Sequence, residues 1–325
     1  MSCLRPAVGL LLATSLWSAD AAAPAPVLDG YTADPAIRVF GDRYYLYPTS
    51  DKAEWQCTDF SVWSSPDLKQ WKREGMILDV TSQLAWAKGE AWAPDCIERN
   101  GTWYFYFCAN RQIGVATAAS PVGPFRDALG KPLITRKDPG GFPGQAIDPY
   151  PFIDEDGQAF LYFGSTNGIM NVVKLKADLV TLDGPVQSLA ARDFREGAVV
   201  FKRQGRYYFM WSIDDARSPD YRVGWGWSTS PLGPVTSPAD HVVLRQHGAA
   251  KGTGHHSVVQ IPEADRWYCA FHRHAIPNGN GYTRETCLTP MIFAADGSIR
   301  PMDPLVPAVA PGADGEPLQG GRGRP

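Results

Sequence analysis

REGAVVFKRQGRYYFMWS, residues 195–212, is the stretch whose reading decides the fold. Residues 198–202 are rich in β-branched and aromatic side chains, and Gln204-Gly205 supplies a turn. Tyr207, Phe209 and Trp211 then alternate with Tyr208 and Met210 at the two-residue period of a strand. The stretch reads as a β-hairpin with a carboxylate, Glu196, at its entrance.

The same unit recurs. Asp34-Pro35 precedes AIRVF, a Gly41-Asp42 turn and YYLYPTS; Pro94-Asp95 precedes CIERNGTWYFYFCAN; Asp148-Pro149 precedes YPFIDEDGQAFLYFGS; His255-His256 precedes SVVQIPEADRWYCAFHRH. Five copies at intervals of roughly 50 to 60 residues, each built of short strands, are the mark of propeller blades. A third strand follows three of the hairpins and ends in a Ser-Pro turn (FSVWSSPDLKQW, IGVATAASPVGPF, YRVGWGWSTSPLGPV), and NVVKLKADLVTL stands at that place in the third copy. The expected fold is all-β: a five-bladed β-propeller in a single domain over residues 24–310. The residues opening each inner strand, taken as Asp34, Asp95, Asp148, Glu196 and His255, then point at the central axis.

Residues 1–23 carry Arg5, an apolar run and then small residues around Ala19, Ala21 and Ala23, the pattern of a secretory signal peptide too short to span a bilayer. A secreted or periplasmic protein without a membrane anchor is expected. The Gly- and Pro-rich residues 311–325 are expected to be a disordered tail. A formal net charge of −3 with 20% charged residues offers nucleic acid or an anionic membrane nothing to bind, so neutral partners fit better. Eleven Trp suit both core packing and stacking on the apolar face of sugar rings. Five Cys remain beyond Cys3, with no CxxC spacing, so no disulfide or metal knuckle is assigned.

Asp34 and Asp148 occupy like places two blades apart, each as Asp-Pro, which argues against chance turn residues. Glu196 abuts Gly197 and an apolar run, an unusual setting for Glu. Crowded by Asp148 in an aromatic-walled pit, it is expected to keep its proton, as a general acid must. His255 and His256 are adjacent in a strand and point to opposite faces. His272 and His274 have zinc-like spacing but no further ligand.

Asp34-Pro35, Ala91-Trp92-Ala93-Pro94-Asp95, Ile147-Asp148-Pro149, Glu196-Gly197, GTGHHS at 252–257 and Arg284-Glu285-Thr286 together resemble glycoside hydrolase family 43, the five-bladed arabinosidases and β-xylosidases. The resemblance implies Asp34 as general base, Asp148 as the carboxylate that orients and tunes the acid, and Glu196 as general acid. It further implies inversion at the anomeric carbon, for which acid and base carboxyls about 6.5 to 9.5 Å apart are expected. Trp92 matches an aromatic wall of the sugar subsite, Arg284 an arginine contacting a sugar hydroxyl and the Asp148 carboxylate, and His255 the histidine near an axial calcium in several members. No cofactor is required by this reading, with a structural calcium as the one metal it admits. One departure is Ala198, where the family often has Pro after Glu-Gly.

The activity expected is an exported, monomeric glycosidase releasing α-L-arabinofuranosyl, β-xylosyl or other furanosyl units from neutral plant or microbial oligosaccharide or polysaccharide. An endo-acting arabinanase and a sugar-binding propeller without turnover remain alternatives; a sialidase-like propeller lacks its arginine clamp and Asp-boxes. Loops at 49–56, 110–113, 214–221 and 275–281 are expected to set pocket depth and thus substrate.

Overall fold

The structure, a computed structural model, describes residues 23–136 and 141–308. The leader expected over 1–23 lies, apart from Ala23, outside the described residues, as does the tail expected over 311–325. Five antiparallel sheets follow one another along the chain. Blade one comprises β1 (Thr32–Phe40), β2 (Arg43–Ser50), β3 (Asp59–Ser65) and β4 (Lys72–Asp79). Blade two comprises β5 (Trp92–Arg99), β6 (Thr102–Ala109), β7 (Gln112–Ala118) and β8 (Arg126–Asp127). Blade three has β9 (Tyr150–Ile153), β10 (Ala159–Phe163), β11 (Ile169–Leu175) and β12 (Gln187–Ala190). Blade four has β13 (Glu196–Arg203), β14 (Arg206–Ile213), β15 (Arg222–Ser228) and β16 (Val242–Leu244). Blade five is three-stranded: β17 (Gly254–Gln260), β18 (Trp267–His274) and β19 (Arg284–Met291). One short helix (Val80–Gln83) and one 3-10 turn (Ala53–Trp55) are the helical pieces among the described residues. This is the five-bladed β-propeller expected.

The apolar faces pack between neighbouring blades rather than around one centre. One cluster joins blades one and two through Tyr47, Phe60 and Phe105, another joins blades two and three through Tyr106 and Phe163. The largest runs through blades three, four and five around Trp211. A middle-strand tyrosine latches each of four blades to the segment beyond it. The hydroxyls of Tyr47, Tyr106, Tyr162 and Tyr208 donate to the carbonyls of Pro121, Leu179, Pro231 and Gly297 at 2.7, 2.5, 2.6 and 2.9 Å. The Ser-Pro turns after β7 and β15 thus present carbonyls to the preceding blade. The ring closes where Ser257 of β17 accepts from the Ile37 amide (2.8 Å) and donates to the Pro35 carbonyl (2.6 Å).

Each inner strand opens with one residue in the left-handed region: Asp34 (φ 47°), Ala93 (38°), Asp148 (57°), Gly197 (63°) and His255 (34°). Register shifts in the pairing with the second strand surround four of them. This corrects the expected register. The residues in equivalent places are Ala93 and Gly197, so Asp95 lies two residues beyond the opening and Glu196 one before it. A bulge adds one residue to the inner strand and shifts its phase while the partner strand keeps an unbroken alternation, so the periodicity of the hairpin places it poorly.

Asp95 consequently serves the structure below the axial opening. Arg38 of blade one donates to its two oxygens at 2.7 and 2.5 Å and to the Pro151 carbonyl of blade three at 3.2 Å. The guanidinium also lies 4.8 Å from the Tyr150 ring centroid. One ion pair thereby ties three blades, and Asp95 is buried. Arg38→Met should lower unfolding free energy by about 3–5 kcal/mol by stranding that carboxylate, whereas Arg38→Met with Asp95→Leu should recover most of the loss. Denaturant titration of the three proteins checks this; equal stability of single and double variants would contradict it.

Candidate active site

Asp34, Trp92, Asp148, Glu196, His255 and Arg284 all line one axial cavity of about 290 Å³. The bulges put them there. At a left-handed residue the side chain departs from the pleat, so Asp34, Asp148 and His255 enter the axis together, while Glu196 enters from the residue before Gly197. Gly197 is required at its position. A Cβ there would stand 3.0 Å from Ser212 Oγ and 3.3 Å from the His255 ring, and the backbone is left-handed. The Gly197 amide donates to Asp148 Oδ2 at 3.2 Å.

Asp34 is nearly enclosed, at 6% exposure. Arg284 Nη1 donates to its Oδ1 at 2.8 Å, and the Thr49 hydroxyl donates to Oδ2 at 2.8 Å while accepting from the Ala93 amide. His255 Nδ1 stands 3.3 Å from Oδ1. Burial alone would raise this carboxyl, but Arg284, then His255 and His272, outweigh it and hold Asp34 well below the usual carboxylate range. Arg284 shares its fork with Asp51, donating through Nε at 2.8 Å and Nη2 at 2.6 Å. Its carboxylate partners are therefore Asp34 and Asp51. The expected contact with Asp148 is not made, because Asp51 at the end of β2 occupies the other side of the fork.

Asp148 behaves in the opposite way. Burial, the neighbouring Glu196 and then Asp34 push it well above the usual range, with only the Gly197 amide and more distant Arg284 pulling down. The crowding expected between the two acids acts on Asp148, which lies deeper and keeps a proton that an isolated carboxyl would lose. Glu196 accepts from the Tyr221 hydroxyl at 3.0 Å and the Ser165 hydroxyl at 3.1 Å, which fix its orientation. Tyr221 stacks on His272 at 5.6 Å. His272 Nδ1 lies 3.1 Å from the Asp34 amide and 3.2 Å from Asp34 Oδ1, and serves only one of them in a given tautomer. Burial and Arg284 hold the ring neutral, with its pKa down to about 3.

His274 Nε2 instead faces the Ala216 carbonyl at 3.1 Å, so the His272-His274 spacing is not a zinc pair. For calcium near His255 the donor set is thin. Calcium takes six to eight oxygens, His255 turns Nδ1 to Asp34, and no group of three His, Cys, Asp or Glu among the described residues could hold a metal ion. The residues present do not fit a protein-caged calcium, and no step is routed through one.

The cavity walls come from the loops expected to set its depth: Trp55, Arg111, Asp215 and Arg217. Trp55 meets Trp92 edge to face at 6.3 Å, accepts on its carbonyl from Trp92 Nε1 (2.8 Å), and donates through its own Nε1 to Gly281 (2.7 Å). Sequence reasoning missed Asp51, Trp55, Tyr221 and His272 as site residues. The first three fall within the loops expected to set pocket depth without being singled out, and His272 carried only its spacing to His274. The arrangement places an ionised carboxylate, Asp34, and a proton-bearing one, Asp148, in the same aromatic-walled hollow as Glu196, which suits acid–base chemistry on a bound sugar.

The family model for glycosyl hydrolases family 43 matches residues 23–299. A Beta-D-galactofuranosidase of Aspergillus niger is 32% identical, over 90% of this chain and 88% of its own. An Arabinoxylan arabinofuranohydrolase of Bacillus subtilis is 29% identical, over 85% of this chain and 63% of its own. Among solved structures, an alpha-L-arabinofuranosidase from Clostridium thermocellum aligns with a TM-score of 0.73 at 31% identity, over 85% of this chain and 93% of that one. A Xanthomonas citri GH43_1 enzyme complexed with xylotriose aligns with a TM-score of 0.71 at 29% identity, over 85% and 92%.

The Asp34–Arg284 pair predicts a pH dependence of stability. A carboxyl lowered in the folded state contributes stability above its unfolded value, near 3.9, and loses it as pH falls through the folded value. Arg284→Met should therefore be less stable than the parent at neutral pH by several kcal/mol, about 3–5 for a broken buried pair, with the gap closing below roughly pH 3. Denaturant midpoints measured from about pH 1.5 to 8 check this; a gap that stays independent of pH down to the acid end would contradict the assignment.

Proposed function

The chain belongs to glycosyl hydrolase family 43 and is a glycosidase acting on O-glycosyl compounds, and from that premise we propose an exported, exo-acting, inverting hydrolase that releases terminal α-L-arabinofuranosyl or related pentosyl and furanosyl units. The observation that carries the reading is the opposite displacement of two acids in one cavity: Asp34 is held ionised by Arg284, and Asp148 is held protonated by burial and Glu196. Asp34 takes a proton from a water as the water oxygen bonds to the anomeric carbon. The anomeric C–O bond to the leaving group breaks in the same step, and its oxygen receives a proton from Glu196. Asp148 keeps that proton available at neutral pH; Tyr221 and Ser165 hold the Glu196 carboxyl in place.

A cavity of about 290 Å³ lies at the small end of ligand pockets, roughly 300–1,000 Å³, and supports cleavage of terminal units over cleavage along an extended chain. Furanosyl substrates are favoured by the galactofuranosidase and arabinofuranosidase relatives; β-xylosides follow from the xylotriose-binding neighbour.

Hydrolysis of nitrophenyl α-L-arabinofuranoside, β-D-galactofuranoside and β-D-xyloside tests the substrate. Asp34→Asn, Asp148→Asn and Glu196→Gln should each cost about 10²–10⁴-fold in turnover; Asp148→Asn and Glu196→Gln should leave thermal unfolding near the parent, whereas Asp34→Asn, which breaks the buried pair with Arg284, should also unfold more easily. Glu196→Gln should lose less on a nitrophenyl glycoside, whose leaving group needs little protonation, than on an arabino-oligosaccharide; Asp34→Asn should lose equally on both. Parental rates in all three variants would end this reading.

The pH profile of kcat/KM should show an acid limb below the usual carboxylate range, set by Asp34, and an alkaline limb set by the raised Asp148 carboxyl beside the acid. Removing one charge of the pair in Asp148→Asn should move the alkaline limb to lower pH in whatever activity remains. An unmoved limb would separate Asp148 from the acid.

A further inference from the structure

Charge separates with depth in the cavity. The floor holds Asp34, Asp148 and Glu196; the mouth holds Arg111, Arg195 and Arg217. Two carboxylates face these three guanidiniums, and both are engaged. Glu90 accepts from Arg111 Nε at 3.0 Å, and Asp215 accepts from Arg217 Nε and Nη2, each at 2.7 Å. Asp215 is accordingly lowered to about 2, first by the hydrogen bond from Arg217. Arg195 is left over.

Its guanidinium makes no hydrogen bond to any described residue. Nε is buried without a partner, 3.7 Å from Glu196 Oε2, and Nη2 stands 3.8 Å from Asp215 Oδ2. Its main chain is fixed on both sides, the amide donating to the Ser212 carbonyl and the carbonyl accepting from the Thr166 amide. A guanidinium held rigidly at its root, lining a sugar-sized cavity with its buried Nε unmet and its outer nitrogens open to the mouth, is a binding group awaiting an acceptor. The planar fork matches a carboxylate better than a lone hydroxyl, and the surplus positive charge at the mouth favours an anion.

We propose that the mouth is a subsite for a carboxylate carried by the leaving group, anchored by Arg195, so that the enzyme prefers units attached next to an acidic sugar such as a uronic acid. The side of the scissile bond follows from Arg195 adjoining Glu196, the group that protonates the leaving oxygen; to that extent the inference rests on the hydrolase reading above. Arg111 over Trp92 (5.8 Å) and Arg217 over Trp55 (5.7 Å) extend the same surface.

The test compares 4-carboxyphenyl with 4-carbamoylphenyl α-L-arabinofuranoside, near-isosteric leaving groups differing by one charge. At low salt the parent should favour the acid by about tenfold in kcat/KM, the magnitude of one charge-assisted contact. Arg195→Gln should bring the ratio close to one, and Arg195→Lys should fall between, keeping the charge without the fork. The ratio cancels any common effect of the substitution on Glu196. A parental ratio at or below one, or a ratio unchanged in Arg195→Gln, would overturn the proposal. Should neither glycoside be hydrolysed, the hydrolase reading fails separately, and calorimetric affinities of the two intact glycosides for parent and variants decide the subsite by the same ratio.

Discussion

The constraint on which the rest depends is the ring of left-handed residues that opens the five inner strands. Non-glycine residues there cost roughly 1–3 kcal/mol each, and four of the five positions are Asp, Ala, Asp and His. The strain persists because the positions are held from outside the strand. Thr49 bridges Asp34 and Ala93, Ser257 staples blade five to blade one across Pro35, and Ser212 accepts from the His255 amide at 2.9 Å. Proline follows three of the left-handed residues, Asp34, Ala93 and Asp148, where no ladder donor is needed. What the strain achieves is convergence: regular strands would send alternate side chains into neighbouring blades, whereas the bulge brings them into one axial hollow.

Convergence creates an electrostatic problem that shapes the chemistry. Three carboxyls within one small cavity cannot all ionise without a counter-charge. The protein supplies one arginine, Arg284, and commits it to Asp34 and Asp51 on the far side from Glu196. Asp148, without an arginine hydrogen bond and beside Glu196, retains a proton. Two aspartates in one hollow are thus driven to opposite protonation states by the asymmetric placement of a single guanidinium. Neutral, buried His272 adds a hydrogen-bonding surface behind Asp34 without a second positive charge.

Much of this was legible in the chain. The hairpin at 195–212, its four relatives and the Ser-Pro turns stated the blades, and the Asp-Pro pairs pointed to Asp34 and Asp148. The single-residue register was not legible, because a bulge leaves the alternation of YYFMW or YYLYP untouched; hence Asp95 was grouped with the openers although it anchors Arg38. Nor was the Arg284 partnership with Asp51, a contact between the ends of blades five and one that exists only once the ring closes. Tyr221 reads as an ordinary third-strand aromatic, and only the approach of Gly254, where a Cβ would stand 2.2 Å from its ring, shows why it sits over His272 and reaches Glu196.

Floor and mouth of the site are built from different material, and this separates what the reaction requires from what the substrate selects. Asp34, Asp148, Glu196 and Arg284 lie at strand ends, tied by sheet pairing and by hydrogen bonds that cross blade boundaries. Trp55, Arg111, Asp215 and Arg217 lie on connections between strands, held by a few contacts such as Trp55 Nε1 to Gly281 and Asp215 to Arg217. Substitution on those loops leaves the carboxyl constellation standing, because none of them supplies a hydrogen bond to Asp34, Asp148 or Glu196. Arg195 is the exception that couples the layers: its backbone belongs to the sheet edge beside the acid, while its side chain belongs to the mouth. A charge placed there stands 3.7 Å from Glu196 and lines the mouth of the same cavity, so one residue touches both layers.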